Sequence, residues 1–434
     1  MYKYFEIEGA SKLTGEIKIT GAKNSSLPIL VSTLLVTGKI ELQNVPNIED
    51  IKIISSILER LGSKINFDVI NNKMIVDNKK LKYKELLFED VSKLRASYYF
   101  LGALVGKYKK AKILLPGGCF LGPRPIDLHL KGFEQLGCKI KQSKSGNFDV
   151  LEVEVNEHLK GTTIFLDFPS VGATINLMLA AVNAEGTTIL ENVAQEPEVV
   201  DVAQMLINMG VVIEGLGTSI IKITGTKNLK ECTHTIIPDR IEAGTFIMYG
   251  ALLGENLKIT EINIEHIEYL LAKLKEAGIK FKAQNNYVSF TKKNHKIKAL
   301  NITTGVYPAF PTDLQQIITT LLTQAKGTSH IEDRIYSDRF RNCEYLNKMG
   351  ANIIIDSNEL VGKATVQGQS KLRGEEVIAT DLRAGASLIF AAILAKGKTQ
   401  IHDINHILRG YENIVEKLSK IGVKIKVIEE DNYE

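Results

Sequence analysis

The sequence predicts an α/β protein of two globular halves, each three copies of a roughly 70-residue repeat with buried helices inside. A ladder of helix endings is the first observation behind this. A Gly followed two or three residues later by a β-branched or aromatic residue recurs at Gly62, Gly137, Gly210, Gly278, Gly350 and Gly422, spaced by 75, 73, 68, 72 and 72 residues. Self-similarity at so steady a period marks an internal repeat. Each Gly fits the left-handed cap that ends a helix, and the alternating segment after it reads as a strand. The second observation is that 172–184, 243–253, 314–324 and 385–395 are apolar almost all the way round. A helix without a polar face must be enclosed on every side. Third, helices such as 269–277 mix apolar and charged residues with a helical period and therefore lie outside.

Composition excludes several classes. The chain has 434 residues, 44% hydrophobic and 24% charged, which suits a globular protein with two or three cores. The net charge of +4 decides nothing, and beyond Lys107-Tyr108-Lys109-Lys110 both signs are interspersed, which argues against nucleic acid as a partner. The longest apolar run, 27–36, is interrupted by Ser32 and Thr33 and is about half of what a bilayer requires, so no membrane partner is expected. Glu6 and Glu8 spoil any signal-peptide pattern at the N-terminus. Cys119, Cys138, Cys232 and Cys343 stand far apart with no Cys-x-x-Cys, which favours a reducing, cytoplasmic location and argues against structural zinc. The histidines lack ligand spacing, so no metal is signalled. No Gly-x-Gly-x-x-Gly follows a strand, and 102–107 lacks the spacing and hydroxyl of a P-loop.

The polar residues that interrupt this pattern recur at one structural position. About 40 residues upstream of each capping Gly come Lys23-Asn24, Leu94-Arg95, Ser170-Val171-Gly172, Asp239-Arg240, Thr312-Asp313 and Asp381-Leu382-Arg383, each opening an apolar helix. Free N–H groups and the positive dipole end make a helix N-terminus a ready anion site. Capping accounts for Ser170 and Thr312. It does not account for Lys23, Arg95, Arg240 or Arg383, because a cation at that end is unfavourable unless an anion offsets it. The outer helices open with Cys119 and Arg124, Gln195-Glu196-Pro197-Glu198, Asp338-Arg339-Phe340 and Leu408-Arg409-Gly410-Tyr411. With the helix ends facing a cleft between the halves, Lys23, Arg95, Arg124, Arg339, Arg383 and Arg409 would line a site for a polyanionic substrate. Only ten of the 54 basic residues are Arg, which hints that those present sit where a bidentate fork is needed.

The segment 114–127 holds three glycines and three prolines, so it is a sharply bent loop. It places the Cys119 thiol five residues from the Arg124 guanidinium. A thiol beside a fixed cation is lowered in pKa and usable as an acid or nucleophile; the alternative is an inert small hydrophobe.

These stretches, with Thr20-Gly21-Ala22-Lys23-Asn24, Phe310-Pro311-Thr312-Asp313, Thr380-Asp381-Leu382-Arg383-Ala384 and Arg409-Gly410-Tyr411-Glu412, resemble the enolpyruvyl transferase family, on the branch that acts on UDP-N-acetylglucosamine. The resemblance runs in order along essentially the whole chain. It implies transfer of enolpyruvate from phosphoenolpyruvate to the sugar 3-hydroxyl with release of phosphate, the first committed step of peptidoglycan synthesis, and it implies no cofactor. It implies two inverted, barrel-like α/β domains with two chain crossings, at 23–237 and at 1–22 with 238–434, and an active site in the cleft between them. It assigns Cys119 as general acid, Asp313 as the base at the sugar hydroxyl, and Lys23, Arg124, Arg383 and Arg409 as the cations around phosphoenolpyruvate. Asn24, Arg95, Arg124, Pro125, Ile126, Asp127, Leu128, Ser170, Val171, Gly172 and Ile335 are expected to hold the UDP-sugar, and Arg339 joins the substrate-binding set. Fosfomycin, an epoxide that imitates phosphoenolpyruvate, is expected to alkylate Cys119. The chain departs from the family at Leu408, where Asp is usual before Arg-Gly-Tyr, at Gln195 and at Tyr99, and Leu408 bears on how Arg409 is oriented. Two rival readings remain: the sister transferase of the shikimate pathway, which the Pro-Gly-Gly-Cys loop argues against, and a UDP-sugar-binding paralogue without turnover, which would not need Cys119, Lys23 and Asp313.

Overall fold

A computed structural model describes all residues except 1, 89–90, 92–93, 115–125, 146–147, 295, 357–360 and 431–434. The chain divides into a discontinuous unit, Met1–Thr20 with Pro238–Glu434, and a continuous unit, Gly21–Ile237. Each has its own core. Gly21 and Ala22 go with the continuous unit, where the Ala22 N–H donates to the Ile237 carbonyl at 2.8 Å.

The ladder of glycines is a ladder of identical caps. Gly62, Gly137, Gly210, Gly278, Gly350 and Gly422 all have positive φ, between 82° and 103°. At each, the N–H of the following residue reaches back to a carbonyl five residues earlier, as from Ser63 to Leu58 at 3.1 Å and from Ile279 to Leu274 at 3.0 Å. This is the Schellman arrangement, which needs a left-handed residue and so selects Gly.

Among the described residues each unit contains three sheets with one shared pattern. A central strand has a parallel neighbour on one side and an antiparallel neighbour on the other, and a further antiparallel strand completes the set. In the sheet around Thr187–Glu191, for example, Thr163–Phe165 is parallel while Ile220–Thr224 and then Val212–Glu214 are antiparallel. In the sheet around Lys110–Leu114 the parallel neighbour is reduced to the single bridge from Leu86 to Ile113. Strands remote in sequence close the units. Cys232–Thr235 runs parallel to Lys39–Gln43 in the continuous unit. In the discontinuous unit Leu13–Lys18 runs parallel to Gly254–Thr260, and Tyr2–Glu8 lies between Lys398–His402 and Lys424–Glu430.

The inner helices are enclosed, as their all-round apolar character requires. From Arg240 to Leu252 every residue of the helix Arg240–Leu253 is buried, and so is every residue from Arg383 to Ile393 of Leu382–Leu394. Tyr249 joins these two helices: its ring stacks on Phe390 with centroids 4.8 Å apart, and its hydroxyl donates to the Ala386 carbonyl at 2.7 Å, which satisfies the buried polar atom. In the continuous unit Gly102 allows Tyr99–Tyr108 to approach Val171–Ala181, because a Cβ there would lie 2.2 Å from the Asn176 carbonyl oxygen.

Candidate active site

Charge in the discontinuous unit converges on Asp313. It lies in a 3₁₀ turn, Thr312–Leu314, that leads into the inner helix Gln315–Leu322. Arg339 Nη2 donates to its Oδ1 at 2.7 Å and Arg383 Nη2 to its Oδ2 at 3.0 Å. Both guanidiniums are buried, with side chains 3% and 7% exposed, whereas Asp313 keeps 25% of its side chain open to solvent. Burial would lower the Arg383 pKa, but Asp313 and the other anionic groups around it outweigh burial and raise it, so the cation is permanent.

A second carboxylate fixes this cluster from behind. Asp333, fully buried at the end of Thr328–Asp333, accepts from Thr304 Oγ1 at 2.9 Å, from the N–H groups of Ile335 and Tyr336 at 2.9 Å each, and from Thr312 Oγ1 at 2.7 Å. Thr312 in turn accepts from Arg339 Nη1 at 3.2 Å. Gln316 Nε2 donates to the Arg339 carbonyl and to Asp381, while Asp381 caps its own helix through the N–H groups of Arg383 and Ala384. Arg409 is half-buried at the end of the short helix Asn405–Leu408. Leu408 is exposed and its side chain offers no acceptor.

The continuous unit presents its expected residues differently. Lys23 opens the helix Lys23–Ser32 and pairs at 2.8 Å with Asp50, which is buried in the first turn of Glu49–Arg60. Asn24 follows, half-buried. Arg95 begins the turn Arg95–Tyr98. Ser170 caps Val171–Ala181 by accepting from the Ala173 N–H at 3.3 Å, and Val171 and Gly172 form its first turn. Ile126 and Asp127 start Asp127–Gln135, and Leu128 packs against the core. Cys119, Arg124 and Pro125 lie outside the described residues.

His129, on Asp127–Gln135, ties the turn Arg95–Tyr98 and the helix Tyr99–Tyr108 to Val171–Ala181. Its Nδ1 faces Asn176 Nδ2 at 2.9 Å, and the same amide donates to the Tyr98 carbonyl and accepts from the Gly102 N–H. That amide orientation makes His129 Nδ1 an acceptor and leaves the ring proton on Nε2. A Cβ on Gly172 would stand 3.2 Å from the imidazole. Burial first, then the Arg95 charge, push the His129 pKa down to about 4, against the opposing pull of Asp127. The ring is therefore neutral near neutral pH.

Sequence reasoning brought Asp313, Arg339 and Arg383 forward, and the fold joins all three. It missed Asp333, the Tyr411 hydroxyl that meets Arg383, and His129. It also missed the buried pair of Lys417 and Glu242, 2.6 Å apart, in which the Glu242 Oε2 accepts from the N–H and hydroxyl of Thr20. The sequence signals were present but slight: a His beside Asp127-Leu128, and carboxylates inside otherwise apolar segments.

A family profile for EPSP synthase (3-phosphoshikimate 1-carboxyvinyltransferase) matches residues 7–418. UDP-N-acetylglucosamine 1-carboxyvinyltransferase 2 of Listeria monocytogenes is 46% identical over 419 residues, 96% of each chain. UDP-N-acetylglucosamine 1-carboxyvinyltransferase of Halothermothrix orenii is 47% identical over 424 residues, 98% of this chain and 99% of its own. Among solved structures, the enolpyruvyl transferase NikO from Streptomyces tendae superposes with a TM-score of 0.87 at 25% identity, over 98% of this chain and 99% of that one. EPSP synthase from Acinetobacter baumannii shares the fold, with a TM-score of 0.75 at 17% identity over 99% of this chain and 100% of that one.

Proposed function

The chain belongs to the enolpyruvyl transferase family of UDP-N-acetylglucosamine 1-carboxyvinyltransferases, and from that premise we propose that Asp313 is the base at the sugar 3-hydroxyl and that Arg383 and Arg409 hold the anionic groups of phosphoenolpyruvate. The reaction moves enolpyruvate from phosphoenolpyruvate to UDP-N-acetylglucosamine and releases phosphate, a step of peptidoglycan synthesis. The sugar oxygen forms a bond to the central carbon of phosphoenolpyruvate as its methylene gains a proton; loss of that proton equivalent and departure of phosphate restore the double bond. Such chemistry needs a base at the attacking oxygen, an acid at the methylene and fixed cations at the leaving group. Lys23 and Arg124 complete the cations, and Cys119 is the acid. Asn24, Arg95, Arg124 to Leu128, Ser170 to Gly172, Ile335 and Arg339 hold the UDP-sugar. The cytoplasm, where thiols stay reduced, suits Cys119.

The observation that carries this reading is Asp313 held between Arg339 and Arg383, 2.7 Å and 3.0 Å away. It sets a partly open carboxylate beside buried, permanent guanidiniums, which suits a base next to an anion site. Phosphate release from phosphoenolpyruvate should depend on UDP-N-acetylglucosamine. Release driven by shikimate 3-phosphate instead would overturn the substrate assignment. Fosfomycin should add its mass to Cys119 alone, and Cys119→Asp should keep part of the turnover while losing sensitivity to fosfomycin. Label on Cys138, Cys232 or Cys343 would remove Cys119 from the chemistry.

A further inference from the structure

Arg383 is gripped at two nitrogens, and only one grip is Asp313. Its Nη1 lies 3.4 Å from the Tyr411 hydroxyl, and its guanidinium carbon stands 5.8 Å from the centre of the Tyr411 ring. Tyr411 is 2% exposed, so its hydroxyl has no water to turn to. That hydroxyl also meets Thr245 Oγ1 at 2.9 Å. The Thr245 hydrogen is committed to the Ile241 carbonyl at 2.8 Å. In the Tyr–Thr contact the phenol must therefore donate, which leaves its oxygen lone pairs to face Arg383. The hydrogen bonds run in one direction, from Arg383 to Tyr411 to Thr245 to the carbonyl of Ile241 in the first turn of Arg240–Leu253.

We propose that Tyr411, aimed by Thr245, is a positioning residue that keeps the Arg383 fork pointed at the substrate when Asp313 releases it. Each Asp313 oxygen accepts from one guanidinium, and a carboxyl that has taken up a proton as base loses the charge that holds them, which frees Arg383 to pass its hydrogen bond to another anion. The anionic end of phosphoenolpyruvate can replace Asp313 at Nη2. Tyr411 remains on Nη1 through that exchange, and without it a buried, flexible guanidinium would lose its direction at the moment it changes partner. This inference rests on the assignment of Arg383 to phosphoenolpyruvate.

Steady-state kinetics of the full chain, with a melting temperature recorded for each variant, test it. Tyr411→Phe keeps the ring and removes the acceptor; KM for phosphoenolpyruvate should rise about tenfold and kcat should fall, while KM for UDP-N-acetylglucosamine stays unchanged. Thr245→Val should move the same constants in the same direction by less, and Thr245→Ser, which keeps the hydroxyl, should return them to the wild-type values. A merely structural role would lower the melting temperature and leave KM of the folded enzyme untouched. Unchanged KM for phosphoenolpyruvate in folded Tyr411→Phe, with wild-type turnover intact, overturns the positioning role and spares the proposed function. Should Tyr411→Phe yield no folded enzyme, Thr245→Val decides by the same criterion. A wild-type chain without turnover on these two substrates overturns both.

Discussion

Both units set proposed site residues at the starts of inner helices, Lys23 and Ser170 in one, Asp313 and Arg383 in the other, and neutralise them by different means. In the discontinuous unit cations and carboxylates answer one another: Arg339 and Arg383 close on Asp313, and Asp333 holds the turn from behind. In the continuous unit Lys23 pairs with Asp50, while other expected residues lie at helix starts held by the Ser170 cap and by the neutral His129. The difference teaches that the repeat supplies position and the side chains supply chemistry. A helix N-terminus favours anions of either origin, and in the Lys23 and Arg383 positions the protein's own carboxylates provide part of the compensation.

The comparison predicts that the discontinuous unit's site is the one that fails when a carboxylate is removed. Asp333→Ala deletes an acceptor for four donors in a fully buried position and should cost about 3–5 kcal/mol, read as a lower urea midpoint. A cost below about 1 kcal/mol would mean that Asp333 is not the scaffold of that turn.

The continuous unit should instead show its neutral histidine in acid. The folded His129 pKa of about 4 lies below the ordinary 6.5, so this group contributes stability in full above the unfolded value and loses it as pH falls from 6.5 towards 4. Between about pH 7 and about pH 5 the stability advantage of wild type over His129→Gln should shrink by roughly 2 kcal/mol. A constant difference across that range would show that the buried imidazole titrates normally.

The smallest effects should come from the caps, which the units share. Gly278→Ala meets nothing within 4 Å and should cost only the strain of a left-handed residue, about 1 kcal/mol. Gly62→Ala carries the same strain and would also set its Cβ 2.6 Å from the Lys80 carbonyl oxygen, so its melting temperature should fall further. Equal losses at the two positions would erase that distinction.

The repeat was legible because its signals are local. A Schellman cap selects Gly at one position, and an inner helix shows its burial in every residue of its own sequence. Asp313 and Arg383 were legible because charges at the openings of such helices stand out from their surroundings, and Arg339 because it recurs at the opening of an outer helix. Asp333, Tyr411 and His129 were not, because what sets them apart is a partner distant in sequence: Thr312 and Thr304 for Asp333, Arg383 and Thr245 for Tyr411, Asn176 for His129. A buried Tyr reads as core until its hydroxyl has a direction. Lys417 likewise reads as the charged side of an outer helix, yet its ammonium reaches the buried Glu242.

In the proposed reaction the Arg339–Asp313–Arg383 cluster holds the base. Single-turnover phosphate release by Asp313→Asn tests it most directly, since the amide keeps the shape of the carboxylate and cannot take the proton. The rate of that turnover should fall by about 10²–10⁴, with UDP-N-acetylglucosamine still bound by the folded variant. Turnover within a few-fold of wild type would contradict it, and would leave Asp313 as no more than the anchor of two arginines.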